Sequence, residues 1–199
     1  MLVIDRVNVG RPALLGQRRG RDVYSSIAKS PVGNRSVTVG PEGIEGDEQA
    51  DKRFVRGKRV HGGALKAVYA FPGEHHAEWA HQLGIVVGPA TFGENLTVYG
   101  MTESEVLVGD EFRCGGVVLR VISPRRPCYK LPMHLGVEDA PQLMNANGFC
   151  GWYFAVVTPG ELSTSGTLEL TCRLPDAISI AEVFAAKVCA DPTIPDMPD

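Results

Sequence analysis

The sequence has no CxxC pair among its cysteines, no apolar run approaching the ~18 residues of a membrane helix, and no surplus of basic residues. Each lack excludes a class of protein. The cysteines, Cys114, Cys128, Cys150, Cys172 and Cys189, are odd in number and scattered, which argues against a disulfide framework, a zinc ribbon or an iron–sulfur cluster and leaves them mostly as free thiols. A net charge of -3 gives no overall basic field, so neither nucleic acid nor an anionic membrane is an expected partner, and any anion site must be local. The opening Met1-Leu2-Val3-Ile4-Asp5-Arg6 puts an acid and a base inside the first apolar run, unlike a secretory signal, so the expected location is cytoplasmic.

What is present is a core-forming chain. With 44% apolar residues, 199 residues fit one main domain and a short appendage. Short runs rich in Val, Leu, Ile, Thr and aromatics recur between Gly and Pro: Leu2 to Val9, Ser36 to Val39, Ala67 to Phe71, Asn95 to Tyr99, Val117 to Ile122, Tyr153 to Val157 and Thr167 to Cys172. They predict a mainly β fold, a closed or partly open β-barrel, with few helices. Arg120 alone interrupts Val117 to Ile122, so both faces of that strand are expected to be partly covered.

Helices are predicted over Pro72 to Leu83, with Pro72 at the first helical position, around Asp139 to Ala146, and over Ile180 to Ala190 behind a Ser179/Glu182 capping box. The barrel domain is expected over 1–174 and a helical C-terminal extension with a frayed tail over 175–199. Gly10 to Arg21 and Pro41 to Gly63 read as long loops.

The segment Ser123-Pro124-Arg125-Arg126-Pro127-Cys128-Tyr129-Lys130-Leu131 follows a strong strand. Its two prolines stiffen the turn that presents Cys128, and Arg125, Arg126 and Lys130 favour thiolate over thiol. A thiolate attacks electrophiles or binds a soft metal, and a small buried apolar residue is the plain alternative. Local chemistry leaves all three open.

This segment, with others in order along the chain, resembles the MOSC domain family (the molybdenum cofactor sulfurase C-terminal domain) and, within it, the YiiM-like group. The matching pieces run from Gly43-Ile44-Glu45-Gly46-Asp47 through His61-Gly62-Gly63 with Lys66, Phe71-Pro72-Gly73-Glu74-His75, Phe92-Gly93-Glu94-Asn95 and Val108-Gly109-Asp110 to Pro127-Cys128-Tyr129-Lys130-Leu131 and Gly151-Trp152-Tyr153. The resemblance implies a MOSC-type β-barrel that binds molybdenum cofactor (Mo-molybdopterin), with Cys128 as the protein ligand to molybdenum. It also implies reduction of N-hydroxylated bases and related compounds to amines.

By the same resemblance, His61, Gly62, Gly63, Lys66, Arg125 and Lys130 are expected to hold the cofactor, Lys66 pairing with its phosphate. Ala64 and Leu65 stand where the family commonly has Pro-Asp, which puts the turn at His61 in doubt. Glu94 and Asn95, just before a strand, are candidate catalytic residues at a barrel mouth, although Asn95 equally suits a turn lock. Asp47, Gln49 and Asp51 lack calcium-loop spacing and read as loop braces. His75, His76 and His81 lack zinc spacing and read as a solvated helix face. Trp152 and Tyr153 read as core or pocket wall, and Cys114, Cys150, Cys172 and Cys189 as structural thiols.

The leading expectation is a molybdenum-dependent oxidoreductase acting on a small N-hydroxylated substrate. Its electrons would come from a separate donor protein, because the chain has neither clustered cysteines nor a flavin fingerprint. The alternatives are a carrier that stores or hands on the cofactor or its sulfur, and a metal-free cysteine transferase, for which no base stands beside Cys128 in sequence. Nothing in 199 residues leaves room for the pyridoxal phosphate domain that sulfurases join to this one, so that cofactor is not expected.

Overall fold

A computed structural model describes residues 1–33, 35–50, 54–55, 58–59, 62–191 and 193. Seven strands form a closed barrel: β1 (Leu2–Val9), β2 (Val68–Pro72), β3 (Leu96–Tyr99), β4 (Glu111–Cys114), β5 (Val117–Pro124), β6 (Trp152–Thr158) and β7 (Thr167–Cys172). The order is β3-β2-β6-β5-β4-β7-β1, and β1 pairs back onto β3 through Val3↔Tyr99 and Val7↔Leu96. Closure leaves neither β1 nor β3 as a free edge. All neighbours are antiparallel except β2 and β3, which run parallel and are joined across α1 (His76–Leu83).

Alternation explains β1, where Leu2, Ile4 and Val7 point inward and a bulge between Ile4 and Arg6 resets the register. β5 does not alternate: Val117, Val118, Leu119 and Val121 are all buried, because the C-terminal helix α4 (Ile180–Ala190) covers its outer face. Ile180 and Phe184 enter the same core as the barrel side chains. Inside, Phe154 meets both Phe112 and Trp152 edge-on.

Two further helices, α2 (Lys130–Leu135) and α3 (Ala140–Asn147), follow the Cys128 turn, and each ends in a left-handed glycine, Gly136 and Gly148. Among the described residues no helix is long and apolar enough to cross a membrane.

The structure corrects several readings. Gly10 to Arg21 is not a loop: Ala13–Arg18 and Arg21–Ser25 pair as a hairpin around Arg19-Gly20, whose positive φ angles give the turn its hand. Pro72 does not open a helix. It ends β2, and a short 3-10 turn at Gly73–His75 precedes α1. The strands Glu111–Cys114 and Gly160–Ser163 and the helix α2 were not expected from the sequence. The two four-residue strands owe their conformation to pairing partners rather than to their own pattern, and α2 packs against α3.

Candidate functional site

β5 delivers its last residues into the turn that carries Cys128. Arg125 is tied back to the barrel through its N–H, which donates to the Gly151 carbonyl at 3.2 Å, and the Cys128 carbonyl accepts the Leu131 N–H at 2.9 Å where α2 begins. Gly151 has φ 64, and a Cβ there would strike the Ala70 carbonyl, so only glycine lets β6 close on β2 at this point.

Cys128 is half-buried on the wall of an open cleft enclosing about 720 Å³, part of it continuous with solvent. One side of the cleft is aromatic. Tyr69 and Tyr153 are cross-strand partners on β2 and β6 with ring centres 5.4 Å apart. Tyr69 donates its hydroxyl to the Cys150 carbonyl at 2.9 Å. Arg125, 6% exposed, lies 4.9 Å over the Tyr69 ring and donates to its hydroxyl at 3.3 Å and to the Phe92 carbonyl at 2.8 Å. Lys66 lies 5.7 Å over the Tyr153 ring, and Lys130 donates to the Tyr24 carbonyl at 3.1 Å.

Among the described residues the lining side chains include five cations, Lys29, Lys66, Arg125, Arg126 and Lys130, and no carboxylate. Burial works against charge on Arg125, but the Tyr69 and Tyr153 phenols and the Cys128 thiol outweigh it and hold its pKa above the ordinary arginine value. Lys66 is lowered, by burial first and by the neighbouring Lys187 second, with Cys128 opposing. Burial raises both phenols, and Arg125 opposes the shift.

Lys29 is lowered by burial, opposed by its ion pair with Asp47. Asp47 also accepts the Gly10 N–H at 2.8 Å, so it braces two loops. Lys29 and Tyr69 were not singled out in the sequence. Nothing local marks them, since Lys29 acquires its place from a carboxylate eighteen positions away.

Of the residues expected to hold a cofactor, Gly62, Lys66, Arg125 and Lys130 line the cleft with Cys128. Gly63, at φ 83, caps the short turn that ends at Lys66, and His61 and Asp51 lie outside the described residues. Asn95 lines the cleft, but its amide is engaged: Oδ1 accepts the Tyr69 N–H at 3.1 Å and Nδ2 donates to the Asn8 carbonyl at 3.2 Å. Glu94, expected to face the barrel mouth, does not reach it. It is fully buried, is not among the lining residues, and accepts the Ala90 and Phe92 N–H groups and the Thr97 hydroxyl.

His75 is no part of a solvated helix face, because it is buried, stacked on Phe149 and 2.7 Å from the Glu103 carboxylate. Trp152 is core and Tyr153 is pocket wall. Cys114 and Cys150 are buried, whereas Cys172 and Cys189 are exposed.

Among the described residues no three His, Cys, Asp or Glu side chains come together to hold a metal ion. A metal bound at Cys128 therefore has to bring most of its own ligands. A soft thiol beside five cations fits a metal carried on an anionic, phosphate-bearing organic group.

The family described as MOSC domain matches residues 57–169. Protein YiiM of Escherichia coli (strain K12) is 42% identical over 165 residues, covering 81% of this chain and 70% of that protein. The crystal structure of YiiM from Geobacillus stearothermophilus superposes with a TM-score of 0.75 at 31% identity, over 94% of this chain and 84% of that one. A protein named reductase from Gibberella moniliformis is 28% identical over 158 residues, 77% of this chain but 27% of that protein.

Proposed function

The chain belongs to the MOSC domain family, and from the cleft around Cys128 we propose that it binds molybdenum cofactor and reduces N-hydroxylated compounds to amines. The observation that carries the reading is the half-buried thiol of Cys128 in a cleft that, among the described residues, is lined by five cations and no carboxylate. The similarity to a protein named reductase supports the direction of the chemistry.

In this reading Cys128 Sγ is the protein ligand to molybdenum, and Lys66, Arg126 and Lys130 face the anionic part of the cofactor. When bound, the cofactor supplies a two-electron centre that accepts an oxygen atom. Arg125, locked by Tyr69 and the Phe92 carbonyl, keeps a permanent cation beside Cys128. The Tyr69 and Tyr153 rings give the cleft an aromatic wall. Two electrons and two protons convert the N-hydroxyl group to amine and water, and a separate donor protein supplies the electrons.

The test is metal analysis and turnover of protein made in a host that produces the cofactor, with reduced methyl viologen as donor. Cys128→Ser is expected to lose molybdenum and activity together, and a variant that keeps its full metal content overturns the ligand assignment. Full molybdenum content without turnover in the unsubstituted protein makes it a carrier of the cofactor instead.

A further inference from the structure

Behind the cleft lie a buried carboxylate and a buried imidazole that the proposed reaction does not use. Glu103, in the loop between β3 and β4, and His75, in the turn before α1, are 4% and 8% exposed. Neither is among the lining residues. Glu103 Oε2 lies 2.7 Å from His75 Nε2, and because a carboxylate only accepts, the proton between them sits on the imidazole. Glu103 Oε1 accepts two successive backbone N–H groups, that of Cys150 at 3.0 Å and that of Gly151 at 2.7 Å. His75 also stacks on Phe149, so both members of the pair grip the segment from Phe149 to Gly151.

The two carbonyls of that turn face the site. The Cys150 carbonyl accepts the Tyr69 hydroxyl at 2.9 Å, and the Gly151 carbonyl accepts the Arg125 N–H at 3.2 Å. All four backbone polar groups of Cys150-Gly151 are therefore engaged, two by Glu103 and two by residues that line the cleft. The Cys150 carbonyl and the Gly151 N–H belong to one peptide unit, with the Glu103 carboxylate at its N–H end and the Tyr69 hydroxyl at its oxygen end. A negative charge at the first end makes the oxygen at the other a stronger acceptor. Since the Tyr69 hydroxyl spends its proton on Cys150, its oxygen is left to accept from Arg125 Nη1 at 3.3 Å.

We infer that Glu103 is a positioning residue of the cleft: acting through the Cys150–Gly151 peptide, it sets the direction of the Tyr69 hydroxyl and so the place of the Arg125 guanidinium in the wall that carries Cys128. Its bearing on turnover rests on the function proposed above. Bracing of the fold falls to the Glu103 main chain, whose carbonyl accepts the Ala181 N–H at 2.9 Å at the start of α4. The side chain is left for the turn alone, and a carboxylate kept from water is tolerated only where its acceptor sites are filled, as they are here.

The experiment compares wild type, Glu103→Gln, Tyr69→Phe and the double variant, each verified as folded by circular dichroism. In Glu103→Gln the amide keeps an oxygen for the two N–H groups and turns a donor toward His75, which changes tautomer to accept it. The geometry is kept and the charge is lost. With methyl viologen as donor and an N-hydroxylated base as substrate, Glu103→Gln is expected to lose about three- to tenfold in kcat per bound molybdenum with KM little changed. In the Tyr69→Phe background, where there is no hydroxyl to direct, the same substitution is expected to change kcat by less than about twofold. A general loss of stability would act equally in both backgrounds. An unchanged kcat in Glu103→Gln, or the same loss with and without the Tyr69 hydroxyl, overturns the inference.

A wild type without turnover is failure of the proposed function. In that case, or if Tyr69→Phe is inactive, the rate at which phenylglyoxal modifies Arg125 decides, followed by peptide mass spectrometry with Arg120 on the exposed face of β5 as the reference. Faster modification of Arg125 in Glu103→Gln, with Arg120 unchanged and no further gain from Glu103→Gln in the Tyr69→Phe background, supports the positioning role. Equal Arg125 rates in wild type and Glu103→Gln, or a rise shared by Arg120, overturn it.

Discussion

The Glu94 carboxylate accepts the Ala90 N–H at 2.6 Å, the Phe92 N–H at 3.1 Å and the Thr97 hydroxyl at 3.0 Å, and it is wholly shielded from water. Burial raises its pKa and those hydrogen bonds oppose the shift. The loop it braces presents Phe92, whose carbonyl anchors Arg125, and Gly93, where a Cβ would run into Ile27. Glu94→Gln sets an amide N–H against a buried donor, at a cost of about 1–3 kcal/mol. Differential scanning calorimetry is expected to show a melting temperature lower by roughly 2–4 °C for each kcal/mol, with kcat largely retained. A Glu94→Gln protein with the wild-type melting temperature and no turnover would instead make Glu94 a catalytic residue. The sequence made Cys128, Arg125 and Lys130 legible as a group because they are neighbours in the chain. Lys29 and Tyr69 reach the same cleft through distant loops and strand pairing, and no local pattern announces that.

Among the elements, α4 was the most readable and the Arg11 to Ser25 hairpin the least, and the reason is where the determinants lie. Ser179 and Glu182 cap each other within one turn, with the Glu182 N–H donating to Ser179 Oγ and the Ser179 N–H to Glu182, so the start of the helix is written locally. The hairpin turns on Arg19-Gly20 and borrows its order from Tyr129 and Lys130, so its arginine-rich sequence looks like loop. The barrel strands fall between these cases: β1 and β5 carry their own apolar pattern, whereas β4 is four residues that need both neighbours. Phe184 is 2% exposed beneath α4, and Phe184→Ala is expected to cost about 3–5 kcal/mol. Removing the cap with Ser179→Ala costs only about 0.5–2 kcal/mol. Urea unfolding curves distinguish the two, and equal losses would mean that α4 is held by its ends rather than by its apolar face. Its far end is held as well, since Arg126 of the Cys128 turn donates to the Asp191 carbonyl at 2.7 Å and the Thr193 carbonyl at 2.9 Å.

Across the whole molecule, partly and fully buried titratable groups give stability opposing pH slopes. His76 is lowered by burial first and by His75, with Asp5 and Glu74 opposing; His134 is lowered by burial first and by Arg125, with a hydrogen bond to Thr91 opposing. A histidine whose folded pKa lies below 6.5 binds fewer protons in the fold than in the unfolded chain, so each of the two subtracts stability as pH falls below that value. Glu94 works the other way. Its folded pKa is raised, the fold holds the proton more tightly than the unfolded chain does, and acidification toward the ordinary carboxylate range adds stability. Melting temperatures between pH 7.5 and 5.5 are therefore expected to fall less in His76→Phe/His134→Asn than in the wild type. The phenylalanine keeps the stack on Phe71 and the asparagine keeps a donor for Thr91. In Glu94→Gln, where the compensating proton site is gone, further acidification toward the ordinary carboxylate range is expected to lower the melting temperature more steeply than in the wild type. Parallel curves for all three proteins would mean that these groups titrate alike in the folded and unfolded chain, and would remove burial as the cause of the shifts.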